Sequence, residues 1–242
     1  MSLLITLIVG LFTLLGSFIV ITTNNSKKIV DFSVSLGFGV LIALIILGIF
    51  PESLELIQTK YSLTSSIIVI LLLVIIGIFI LKILDKFIPD HHSHNKNNLI
   101  HVGLITSVAL FIHNYLEGMA VYTSLNTSLN FGLMLALGVA LHNIPLGMSI
   151  TSFLYHQGKK KAIIYSLFVS LATFFGGLTI LVFNDLIINE FIRGVILSIT
   201  LGMLVYIIIF ELLPHILKNK NKLKSILGII VGIIIFSISK FI

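Results

Sequence analysis

The sequence predicts an all-α, polytopic membrane protein whose eight transmembrane helices form a single domain over residues 1–242. Three observations predict it. Of the 242 residues, 57% are hydrophobic and 10% charged, with a mean hydropathy of +1.18, which leaves too little polar surface to cover a soluble globule. The apolar residues fall into runs of about 20, the helix length that crosses a hydrocarbon core of about 30 Å. The basic residues gather in alternate turns between those runs, as the positive-inside rule requires of a threaded chain.

In order, span 1 is Ser2 to Thr22. It has no positively charged leader and no small-residue cleavage site, and it exceeds a signal-peptide core in length, so it is expected to stay attached. Span 2, Phe32 to Phe50, runs out into IFPESLELIQTK, residues 49–60, which carries Glu52 and Glu55 near the membrane surface and would attract cations. Span 3, Leu63 to Leu84, precedes the longest polar interruption, DKFIPDHHSHNKNN at 85–98. Spans 4 and 5, Leu99 to Ser124 and Leu129 to Tyr155, contain the motifs HNYLEG and HNIPLG. Span 6 is Ala162 to Phe183, span 7 is Phe191 to Leu217 with YIIIFELLPHILK inside it, and span 8 is Leu223 to Ile242.

One set of turns holds Lys27 and Lys28, Lys82, Lys86 and Lys96, Lys159 to Lys161, and Lys218, Lys220, Lys222 and Lys224. Lys60, Arg193 and Lys240 remain for the other side, which puts both termini outside the cytoplasm and the 85–98 loop inside it. The net charge of +6 therefore reads as topology, and no nucleic-acid partner is expected; the partners are the lipid bilayer and a divalent ion. Cysteine is absent, which removes disulfides and thiolate ligands.

HNYLEGMAV and HNIPLGMSI are an aligned partial repeat on helices that must run in opposite directions, the sequence hint of an inverted-repeat transporter. His113 lies about 14 residues into its span, roughly 21 Å along the helix, and His142 is similarly deep. Glu117 follows His113 by one helical turn, so imidazole and carboxylate share a face. A carboxylate in hydrocarbon costs about 2.5–3.5 kcal/mol and must face a partner or a wet cavity. A divalent cation is such a partner, and imidazole with carboxylate suits zinc or another borderline metal.

Asn114 and Asn143 add carbonyl oxygens beside each histidine. Taken alone, His142 reads more simply as an interhelical hydrogen-bonding contact; with His113, Glu117 and two asparagines at matched depth, chance becomes the poorer explanation. Met119 and Met148 read as adaptable packing. Pro145 frees a carbonyl one turn earlier and is expected to bend span 5, while Gly118 and Gly147 permit close helix contact. In span 7, Glu211 and His215 lie nearer the cytoplasmic end, where both are candidates to pass an ion inward, Glu211 ahead of His215, whose place beside Lys218 fits an interfacial structural role at least as well. His91, His92 and His94 form a tract that either collects a departing ion weakly or is simply solvated.

The motifs resemble those of the ZIP (Zrt/Irt-like) divalent metal transporters, which carry histidine-asparagine-x-x-glutamate-glycine on span 4 and a related motif on span 5. The resemblance covers nearly the whole chain and implies a ZIP-like bundle with inverted repeats. It implies metal ligands at His113, Asn114, Glu117, His142 and Asn143, a pathway carboxylate at Glu211 within ELLPH, and movement of zinc, or iron, manganese or cadmium, into the cytoplasm. It implies no cofactor beyond the transported ion. Two departures stand out: Leu146 replaces a usual carboxylate on span 5, and Thr173 replaces one found on span 6 of many bacterial members. One well-formed site rather than two is the expectation.

The ion is expected to come in past Glu52 and Glu55, shed water at His113, Glu117 and His142, and leave past Glu211 toward the loop histidines, by rocking of one helix group against another. No Walker A pattern occurs, so a gradient must drive the movement. An intramembrane zinc-dependent hydrolase is the rival, but HExxH and HxxEH are missing and no enzyme activity is expected. A metal-sensing membrane protein without flux lacks an output domain. The abundance of isoleucine, lysine and asparagine fits a bacterial plasma membrane, and the oligomeric state stays open, a homodimer included.

Overall fold

The computed structural model describes residues 1–23, 27–87, 96–127, 129–183, 189–219 and 221–241. The described residues are almost all helical, with ten α-helices: α1 (Ser2–Thr22), α2 (Lys27–Ala43), α3 (Phe50–Gln58), α4 (Leu63–Phe87), α5 (Lys96–Thr127), α6 (Leu129–Leu154), α7 (Lys159–Phe183), α8 (Glu190–Tyr206), α9 (Leu213–Lys218) and α10 (Lys222–Phe241). A π-helical turn, Leu44–Ile49, joins α2 to α3, and another, Ile207–Leu212, joins α8 to α9. Seven helical segments among the described residues are long and apolar enough to cross a membrane, and α10, with 20 residues, is in the place of the eighth expected span.

The helices outrun the apolar counts at their ends. Span 2 starts at Lys27 rather than Phe32 and continues to Gln58, so the segment bearing Glu52 and Glu55 is helix rather than an emerging turn. Span 4 widens to Lys96–Thr127, and span 6 starts at Lys159. The cause is common to all: a polar residue in the sequence marks a change of surroundings and does not by itself end the helical backbone pattern. Through Pro145, α6 runs unbroken.

The distribution of side chains is that of a bundle in lipid. In α1 the buried face is Thr6, Val9, Gly10, Thr13, Gly16, Ser17 and Val20, while Leu4, Ile8, Leu11, Leu15 and Phe18 point outward. Small residues inside let backbones approach, and large ones outside meet acyl chains. Helix α1 packs on α6 and α7, α5 on α7 and α6, α2 on α10 and α6, and α4 on α8.

The closest approaches reveal an internal two-fold. A Cβ on Gly147 would lie 1.9 Å from the Thr13 carbonyl oxygen, and one on Gly118 1.9 Å from that of Thr173. Gly16 faces the Ile144 carbonyl as Gly176 faces that of Tyr115. The α1·α6 contacts thus become the α7·α5 contacts when 160 is added to the α1 numbers and 29 is taken from the α6 numbers. The second half of the bundle obeys the same rule. Gly39 against Ile229 maps onto Gly202 against Val74, and Gly232 against Leu36 onto Gly77 against Ile199. The offset from α2 to α8 is 163 throughout, and it also carries the first π turn onto the second and Pro51 onto Pro214. Because α1 and α7 are the first and sixth crossings, they run in opposite directions, and the repeat is inverted.

Each π turn ends two residues before a proline, whose ring would strike the carbonyl four residues back, inside the turn; a wider turn relieves that conflict. Gly158 alone among the glycines has positive φ, at 109°, with open space around it. The contrast gives a stability test. Gly147→Ala should cost about 1–3 kcal/mol by overpacking α6 against the α1 backbone. In thermal melts of detergent-purified protein it should lower Tm more than Ser65→Ala, a change at an exposed residue of α4.

Candidate metal centre

Helix α5 places His113 and Glu117 one turn apart on one face, and α6 brings His142 to the same point from the opposite direction. His142 Nε2 lies 2.9 Å from Glu117 Oε1, its N–H donating to the carboxylate, and His113 Nε2 is 3.1 Å from the same oxygen. The donor atoms of all three side chains fall within 4.8 Å of one another. Ligands about 2.1 Å from a tetrahedral zinc stand roughly 3.4 Å apart, so the cluster is close to the spacing a small dication would impose.

His113 and His142 are 1% and 3% exposed, and the side chain of Glu117 14%. The Nδ1 atoms of both rings and Glu117 Oε2 are buried without hydrogen-bond partners in the structure, so no protein group holds the far nitrogen of either ring. A cation that took the Nε2 atoms would meet no competing hydrogen bond on the far nitrogens.

The cluster lies in the wall of a cavity of about 490 Å³. Exposed Glu52 and Glu55 of α3 and half-buried Arg193 of α8 line it too, as do Met119, Leu135 and Phe236. The Phe236 ring is 5.4 Å from that of His142. Thus the two carboxylates expected near the outer surface and the buried donors share one space.

Asn114 and Asn143 take a different place. Both are buried and do not line the cavity. Asn114 Nδ2 donates to the Val169 carbonyl of α7 at 3.3 Å, and Asn143 Nδ2 to the Val9 carbonyl of α1 at 3.4 Å, which are equivalent bonds under the two-fold. Each Oδ1 remains buried with no hydrogen-bond partner, as does Thr173 Oγ1. Leu146 belongs to the main apolar core. Met148 is packed with Val20 and Leu36, as expected of an adaptable filler, whereas Met119 faces the cavity.

Glu211 and His215 are not gathered into the cluster. His215 Nε2 instead lies 3.5 Å from Asp31 Oδ1, with the Phe153 ring edge-on at 6.3 Å. His91, His92 and His94 lie outside the described residues. Two residues near these sites escaped the reading of the sequence. Asp31 sits one position before the counted start of span 2, and Arg193 was counted only as a topology charge; each was visible as an isolated charge at a span end.

Residues 89–240, more than half of the chain, match the family model described as ZIP Zinc transporter. The chain belongs to the ZIP family. The ZIP chain is 30% identical over 225 residues to the zinc transporter ZupT of Streptococcus mutans, an alignment covering 87% of this chain and 85% of that protein. It is 28% identical over 245 residues to the zinc transporter ZupT of Clostridium perfringens, covering 88% and 86%. It is 23% identical over 224 residues to that of Salmonella arizonae, covering 88% and 85%.

A direct test of the centre is calorimetric titration of the purified ZIP chain with zinc. Loss of even an outer-shell partner costs metal sites about 10–100-fold in affinity, so Glu117→Gln should weaken binding by at least that factor while leaving helicity unchanged.

Proposed function

We propose that the chain carries zinc across the bacterial plasma membrane into the cytoplasm by alternating access, with both termini extracytoplasmic. The observation that carries this reading is the meeting of His113, Glu117 and His142 in the wall of a cavity that also reaches the exposed acids Glu52 and Glu55. A dication drawn in by those acids exchanges water for imidazole and carboxylate at the cluster, and its charge offsets the burial of Glu117. The names of the ZupT relatives support zinc as the cargo.

Asn114 and Asn143 complete the site on the side of α7 and α1, each held by its amide so that the carbonyl oxygen stays available. With Leu146 and Thr173 in place of acids, the centre holds one metal. Glu211 serves the inward leg from the site toward the cytoplasm, and the loop 85–98 receives the ion. The work comes from ion gradients, and the protein catalyses no covalent step.

Glu117→Ala, expressed at normal surface level in metal-starved cells, should abolish zinc-dependent accumulation; undiminished uptake rejects the site. In proteoliposomes offered zinc, iron, manganese and cadmium singly, zinc should give the largest flux. Glu52→Gln combined with Glu55→Gln should raise the zinc concentration for half-maximal uptake several-fold with little change in maximal rate. High ionic strength should shrink that difference, because it screens exposed charges.

A further inference from the structure

Arginine carries a permanent positive charge, only hydrogen-bond donors and no acceptor, so it cannot ligate a cation and repels each one that approaches. Arg193 nevertheless lines the cavity that joins Glu52 and Glu55 to the metal cluster, and among the described residues there it is the one fixed positive charge. It does not serve its own helix. Arg193 sits near the start of α8, the end at which the helix dipole favours acids such as Glu190. Nor does it form a contact ion pair among the described residues.

The packing carries it to the acids. Beside it, a Cβ on Gly194 would lie 2.9 Å from the Leu56 Cβ and 3.1 Å from the Ile57 side chain, so the absence of a side chain there lets α8 lie this close to α3, the helix of Glu52 and Glu55. At Glu52, Arg193 is the strongest of the surrounding charges, ahead of Glu117, His113 and Glu55. The guanidinium thus acts across the cavity rather than inside a closed pair. With carboxylates ionised and imidazoles neutral, the lining sets Glu52, Glu55 and Glu117 against Arg193, a net charge of −2. One dication neutralises it. Without Arg193 the same lining would stand at −3.

We propose that Arg193 is a specificity-determining residue of this transporter, a tethered positive charge that matches the cavity to one dication and keeps that ion releasable without touching it. An electrostatic potential multiplies affinity by the same factor for each unit of ion charge. Weakening the negative potential therefore costs a trivalent ion more than a divalent one, and stops a second dication from being held at the mouth. The proposal rests on the reading of this cavity as the metal's way in, but its test needs neither flux nor an imidazole ligand. Zinc uptake that survived Glu117→Ala would end that reading and leave this test standing.

Hydrated magnesium and hexaamminecobalt(III) are octahedral ions that keep their own ligands and differ in charge, the first doubly and the second triply positive. Equilibrium dialysis of the purified chain at constant ionic strength would read hexaamminecobalt(III) binding directly and magnesium by competition with it. At an effective dielectric between those of water and a protein surface, one nearby charge shifts binding about threefold per unit of ion charge. Arg193→Gln should accordingly tighten magnesium about tenfold and hexaamminecobalt(III) about thirtyfold, with Arg193→Lys restoring both. Because the chain has no cysteine, Arg193→Cys supplies a single thiol whose charge can be set after folding. A methanethiosulfonate bearing trimethylammonium should weaken hexaamminecobalt(III) binding, and one bearing sulfonate should strengthen it beyond the unmodified variant. Should Arg193→Gln not fold, these two reagents decide. Equal shifts for the two ions, no shift, or weaker binding in Arg193→Gln overturns the proposal, and so do reagents of opposite charge that act alike, since a merely structural arginine would give those results.

Discussion

One carboxylate oxygen, Glu117 Oε1, lies within 3.1 Å of two imidazole nitrogens inside a membrane-spanning helix, and the rest of the structure is arranged around that crowding. In lipid, an unpaired carboxylate is costly, and removing one partner of a buried ionic contact is costlier than never having built it. The protein meets this demand with two histidines from two helices rather than with a basic residue in direct contact. An arginine permanently paired with Glu117 would make a stable core and a poor cation site. Imidazoles are compatible with the carboxylate and, once their Nε2 atoms are free of protons, are ligands themselves.

Bringing α5 and α6 to one point requires their neighbours to come unusually close. Gly118 and Gly147 let the α7 and α1 backbones approach to a distance that a single methyl group would prevent. The bonds from Asn114 to Val169 and from Asn143 to Val9 then fix the rotation of each helix. This scaffold is symmetric to the residue, yet the site is not: His113 and His142 are equivalents, whereas the equivalent of Glu117 is Leu146. A symmetric frame thus holds a single negative charge off its axis, which is the physical basis for proposing one metal rather than two.

Much of this was legible in the chain. The spans were set by apolar length, and the α5/α6 repeat could be seen because His, Asn and Gly recur identically in HNYLEG and HNIPLG. The other repeats were hidden. Between α1 and α7, or α2 and α8, equivalence is carried by Gly16 and Gly176 or Gly39 and Gly202 at backbone contacts, while the residues between them are interchangeable apolar types. Hydropathy is blind to such pairs. Helix ends were misplaced for the opposite reason: charge at Lys27 or Glu52 marks a change of surroundings, not the end of a helix. Asp31 was lost in that margin, and its contact with His215 appears only when α2 and α9 are seen side by side.

The most direct measurement is anomalous diffraction at the zinc edge from crystals of the zinc-loaded protein. One strong peak is predicted, about 2.0–2.2 Å from the Nε2 atoms of His113 and His142 and from an oxygen of Glu117. A zinc peak elsewhere, with His142 still hydrogen-bonded to an unmetallated Glu117, would contradict the central claim that the buried carboxylate is kept for the ion.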